Sequence, residues 1–383
     1  MTQKPSKFNK KEKMFNGAFF LILTAFALII FIVCFYIPKW ITSPSNGRII
    51  FDDSTGKIGD SMGGILGPPI ALIVAGLTFL AFWMQYHANK ILKKDIEKRD
   101  ETILEETFEN RYYELLKLHR TNIEDLRLGK DYKNRQVFHW LFVEYKFTFE
   151  SILNLIYTNQ DNMNSSYCGF EPTDYDKIAL IAYVLYYWGV GPISSKMIIP
   201  QLKDLCSIAF AEDCISHLNM HKGFYKKKVS ISENANSKTK AVDFNLVFSY
   251  DGKKKEERYK FRYMPFDGHA QRLGHYYRHL FLIVKFVAEY NIEIINDGKK
   301  YDYLKILRAQ LSSYEQLLLY YNSLSSMGKA WNDQPNNFIA KFRLIKNIPI
   351  PLTSFAHDPR IKYKDEIEKL KKINIHFFEW DET

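Results

Sequence analysis

The sequence predicts a mainly α-helical fold: two N-terminal transmembrane helices followed by a cytoplasmic α-helical domain with a small antiparallel β insert. Three observations predict it. Two long apolar runs free of charge lie before residue 90, basic residues are in excess on one side of them, and most of the remainder shows helical periodicity.

The first run, 15–37 (FNGAFFLILTAFALIIFIVCFYI), has no charged residue and is long enough to cross a hydrocarbon core of about 30 Å. Its apolar core is longer than a signal peptide needs, and a second span follows. The second run occupies 64–86, with Pro68 and Pro69 in its first turns, where a missing N–H costs little. Trp40, Trp83 and Tyr86 stand where interfacial anchors are expected. Gly63, Gly67, Ala71 and Ala75 recur every fourth residue, a small-residue seam that lets helices approach closely. The helices it joins are either the two spans of one chain or copies in a homo-oligomer, packed in the lipid bilayer.

Orientation follows from lysine and arginine. Lys4, Lys7, Lys10, Lys11 and Lys13 precede the first span, and Lys90, Lys93, Lys94, Lys98 and Arg99 follow the second. The positive-inside rule then puts both termini in the cytoplasm of a multi-pass protein of the bacterial inner membrane. The basic N-terminus is 1–14 and the extracytoplasmic loop 38–63. The formal charge of +10 suits a negatively charged partner, membrane leaflet or RNA.

A stalk helix is expected over 87–130, with Leu92, Ile96 and Ile103 near a seven-residue period. The domain at 131–383 begins with helices over Val137–Tyr157, Asp174–Trp188 and Ser194–Ile208, the last two separated by GVGPISS. Between about 226 and 264, KKKVSIS, VDFNLVFSY and ERYKFRYM alternate apolar and polar residues, and Asp251–Gly252 marks a turn. Two more helices, His269–Tyr290 and Tyr301–Ser326, are read as a hairpin at the heart of the domain.

Nucleotide-binding glycine loops, serine-hydrolase elbows and zincin helices have no match in this sequence, so those chemistries lack support. Cys206, Cys214, His217 and His221 do not follow zinc-finger spacing, and neither a metal nor a cofactor is expected. The candidate chemistry lies on the helical hairpin. Arg308, Glu315 and Asn322 are spaced seven apart and fall on the apolar stripe of Leu304, Leu311 and Leu318, so they must find partners. On the neighbouring helix Arg272, His275 and His279 share a face, while Arg278 points elsewhere.

Arg272 followed by His279 resembles the Arg-x(4–6)-His signature of HEPN ribonucleases, although Leu273 stands where that family has a polar residue. The resemblance implies a metal-independent ribonuclease with His279 as general acid/base, Arg272 on the phosphate, and Glu315 holding the histidine tautomer. A structural polar network is the rival reading.

Four blocks together resemble the phage abortive infection proteins of the AbiC-like group. They are GKIGDSMGGILGPPIALIVAGLTFLAFWMQYHANK, FENRYYELLKLHR, LGHYYRHLF and ILRAQLSSYEQLLLYYNSLS, in the group's order from Gly56 to about Ser326. The shared polar positions are Asp60, His275, Arg278, Arg308, Gln310, Glu315 and Asn322. The resemblance implies bacterial anti-phage defence and supplies no established active site. Three modes of action are expected: membrane disruption or another non-enzymatic toxic contact, RNA cleavage, or sensing of a phage protein trigger with signalling to a partner.

Overall fold

The computed structural model describes residues 53–234, 241–291 and 295–379, together with Ala25, Leu28, Ile29, Ile32 and Tyr36. Two compact units make up the chain, 1–98 and 99–383. Apart from those five residues, the first expected span and most of the expected outer loop lie outside the described residues.

Helix α1 runs from Asp53 to Glu124. It starts eleven residues before the expected second span, because the Gly-rich segment 53–63, which the sequence places in the outer loop, is helical. Asp53 in its first turn favours the positive helix terminus. Within the first unit its apolar side chains are exposed: Ile65 is 72% accessible, Leu72 74% and Phe79 69%. Among the described residues this is the one helix long and apolar enough to cross a membrane, with a mean hydropathy of 2.2 over its most apolar window. Two spans were expected from the sequence.

The second unit begins with the rest of α1. Of the expected stalk seam, Ile103 in this unit is exposed, as are Leu92 and Ile96 in the first unit. The buried stripe is instead Phe108, Tyr112, Leu116, His119 and Ile123, at the three- and four-residue spacing of one helix face. A two-residue hairpin follows, β1 (Arg127–Leu128) with β2 (Tyr132–Lys133).

Helix α2 (Gln136–Thr158) is the central element, buried on nearly every side, as a helix with apolar residues all round must be. Its polar residues are satisfied locally: Thr148 and Ser151 hydroxyls donate to the carbonyls four residues back, and Glu150 accepts from the Tyr259 hydroxyl at 2.5 Å. Around it pack α3 (Ser165–Cys168), α4 (Tyr175–Trp188), α5 (Ser194–Leu202) and α6 (Ile208–Asn234).

The β insert is one hairpin, β3 (Val242–Tyr250) paired antiparallel with β4 (Lys253–Phe261). Asp251 and Gly252 both have positive φ, 52° and 68°, the arrangement that two-residue hairpin turns require. Val242, Phe244, Leu246 and Phe248 alternate inward. KKKVSIS, read as a strand, is the last part of α6; short apolar alternation is overridden when a preceding helix can propagate.

The remaining helices are α7 (Ala270–Glu289), α8 (Asp297–Ala309), α9 (Ser313–Leu324), α10 (Phe338–Phe342), α11 (Pro359–Lys362) and α12 (Lys364–Lys371). The helix expected over Tyr301–Ser326 is therefore two helices broken at 310–312. Ser312 causes the break. Its side chain accepts from Glu315 N while the Glu315 side chain accepts from Ser312 N, a complete capping box.

Candidate functional site

The break at 310–312 changes the expected site. On a continuous helix Arg308, Glu315 and Asn322 would share one stripe; on two helices each has its own surroundings. Arg308 is buried and its Nη1 donates to the Phe342 and Arg343 carbonyls at 3.3 and 3.1 Å. It closes the C-terminal end of α10, whose last carbonyls have no partner within their own helix. Asn322 is buried against Gly328, where even a Cβ would come 2.1 Å from the Asn322 carbonyl oxygen. Gln310 offers its carbonyl to Arg135 Nη2.

Glu315 is fully buried. Its Oε1 accepts from the Tyr276 hydroxyl at 3.0 Å and its Oε2 from Ser312 N at 2.8 Å. Arg135 Nε stands 3.7 Å from Oε2. Glu315 thus meets Tyr276, rather than His279, across from α7. Burial first, and the Glu315 carboxylate second, push the Tyr276 hydroxyl far up, so it remains a donor.

The α7 residues divide by face. Arg272 donates from Nε to the Arg127 carbonyl at 3.0 Å, and its Nη1 lies 3.4 Å from the Gly268 carbonyl and 3.5 Å from His269 Nδ1. It stitches β1 to the start of α7. His275 and Arg278 are exposed, Arg278 bonding the Gly274 carbonyl at 3.0 Å. His279 lies two turns from Arg272, about 10 Å along the axis, and has a different neighbour. Its ring is parallel to that of His119, with centroids 5.8 Å apart.

His119 is the residue that sequence reasoning missed. It is 1% accessible, and among the described residues neither ring nitrogen has a hydrogen-bond partner. Burial, then His279, then Arg135 pull its pKa down to about 4; His279 is lowered by burial and by His275. Burial and the neighbouring imidazoles therefore favour the neutral form of both rings. A signal existed, since His119 falls on the apolar stripe of Phe108, Tyr112 and Leu116. Arg135 sits in a connection and left no such signal.

Beside this cluster runs a groove of about 770 Å³ lined by Leu116, Lys117, Arg120, Arg135, Ile306 and Gln310. It carries three cationic side chains and one carboxylate, Glu124, whose Oε1 pairs with Arg120 Nε at 3.1 Å. A second buried pair lies at the N-terminus of α7, where His269 Nε2 is 3.1 Å from Glu144 Oε2 and Glu144 Oε1 accepts from Phe266 N at 2.7 Å. Among the described residues no three His, Cys, Asp or Glu side chains form a metal-binding group.

Comparison with known proteins gives one match. Residues 268–352, which carry α7, α8, α9 and α10, match the family described as "Putative phage abortive infection protein". The resemblance read from LGHYYRHLF and ILRAQLSSYEQLLLYYNSLS is borne out over this segment. No curated protein and no solved structure matches the chain.

Proposed function

From the phage abortive infection match over 268–352, we propose that this chain is a bacterial anti-phage effector that acts at the inner membrane. The match carries the defence role. The exposed apolar side chains of α1 between Ile65 and Tyr86 support the membrane setting, because exposed apolar area of that extent is stable only where it leaves water.

The proposed mode is non-enzymatic: α1 associates with copies of itself through Gly63, Gly67, Ala71 and Ala75 and disturbs the bilayer. A Cβ built at Gly63 or Gly67 meets nothing within 4 Å. Gly67→Leu therefore has open space at its Cβ among the described residues, and its effect reports on the close approach of another helix. The test compares plaque numbers on cells making wild type or Gly67→Leu at equal membrane levels. Lost protection is the expected result; full protection by the variant overturns the seam.

RNA cleavage is the second reading, favoured by the His119–His279 pair and by a groove that carries Lys117, Arg120 and Arg135 together with Glu124. Total RNA from infected cells carrying wild type or His279→Ala separates the two. Discrete fragments with wild type alone support a ribonuclease. Intact RNA in protected cells returns the activity to the membrane segment.

A further inference from the structure

His217 and His221 stand one turn apart on α6, and their Nε2 atoms approach to 3.3 Å with the rings at 86°. Two nitrogens each about 2.0–2.1 Å from one tetrahedral ion lie roughly 3.3–3.4 Å apart. The spacing on the helix and the distance between the nitrogens are therefore those of a two-histidine chelate.

A further observation points the same way, and it is open space: a groove of about 550 Å³ reaches His217 and is lined also by Asp161, Asn162, Asp213, Ser216 and Met220. Asp213 is one turn before His217, and its Oδ2 accepts from the Tyr167 hydroxyl at 2.7 Å.

We propose that His217 and His221 bind a divalent late transition-metal ion of the Zn²⁺ type, with the remaining positions open to the groove. Among the described residues no third His, Cys, Asp or Glu is close enough to close the centre. The site is therefore an open one, completed by water or by a ligand entering the groove. On the far side Phe147, Phe244 and Phe266 wall His221, with ring centroids 5.8, 5.8 and 6.3 Å away. Without metal, one Nε2–H donates to the other Nε2; on binding, both rings carry their proton on Nδ1 and both Nε2 atoms face the ion. The four residues Cys206, Cys214, His217 and His221 do not act together, since Cys214 is fully buried in the apolar core.

The experiment uses the full chain in detergent, stripped with a chelator and titrated with Zn²⁺ at pH 7.5 by calorimetry. Wild type is expected to bind one equivalent, and His217→Ala or His221→Ala to weaken it more than the ten- to hundredfold that loss of an orienting contact costs. His221→Phe fills the aromatic wall and keeps the packing. Zn²⁺ is expected to raise the unfolding temperature of wild type and not of this variant. Cu²⁺ added to wild type is expected to show two coupled nitrogens by electron paramagnetic resonance, a readout that needs no variant to fold. Absence of stoichiometric Zn²⁺ binding, affinity unchanged in the variants, or a Cu²⁺ spectrum without two nitrogens overturns the site and leaves a hydrogen-bonded histidine pair.

Discussion

The Tyr276 hydroxyl donates to Glu315 Oε1 at 3.0 Å, and this bond joins the middle of α7 to the first turn of α9. The same carboxylate accepts Ser312 N, so one buried group both starts a helix and holds its neighbour. Glu315→Ala removes both bonds and leaves Tyr276 unpaired. A loss of about 2–4 kcal/mol is expected, from a helix cap plus a buried donor without a partner. Tyr276→Phe should cost about 1–2 kcal/mol. Denaturant unfolding of both variants checks the order; equal losses would mean that the Ser312–Glu315 contact adds nothing to the Tyr276 bond.

His119 makes stability depend on pH. Its folded pKa of about 4 lies below the ordinary histidine value, so the unfolded chain binds the proton more tightly. The contribution is complete above about pH 6.5 and is lost as pH falls toward 4, on the order of 3 kcal/mol. His221, also lowered to about 4 by burial and then by His217, acts with the same sign. His119→Leu should flatten the fall in unfolding temperature between pH 6.5 and 4 without abolishing it. An unchanged slope would show that His119 is not buried neutral.

Gly189 and Gly268 have positive φ and touch: a Cβ on Gly189 would lie 2.4 Å from Gly268 N, and one on Gly268 2.4 Å from the Trp188 carbonyl oxygen. Around this crossing His269 N donates to Tyr187 O at 2.8 Å and Val190 N to Phe266 O at 2.9 Å. Alanine at either position meets both strained φ and backbone overlap, at a cost of at least about 2 kcal/mol. Reduced membrane accumulation and a lower unfolding temperature are expected, whereas Gly252→Ala meets nothing within 4 Å and should suffer only from its φ.

Arg308→Met tests the closure of α10. It keeps most of the buried stem but removes the donors to Phe342 O and Arg343 O and the cation facing the Tyr301 ring at 6.0 Å. A loss of about 2–3 kcal/mol is expected for bonds to a charged donor. Hydrogen exchange should show faster opening of 338–343 in the variant, with α2 unaffected.

Local chemistry made much of this fold legible in the amino-acid order alone. The 64–86 run is apolar and charge-free, α2, α4 and α7 carry helical periodicity, and Asp251–Gly252 names its own turn; these signals are written within a few residues and need no distant partner. The capping box of Ser312 and Glu315 was equally local, yet apolar periodicity across it made one helix out of two. What only the tertiary structure decided is which polar groups meet. Glu315 faces Tyr276 because α9 restarts at Ser312, Arg272 turns to the Arg127 carbonyl because a small hairpin reaches α7, and His119 meets His279 across two helices distant in sequence. Pairings between elements depend on where the chain turns, and a three-residue break rotates every side chain that follows it.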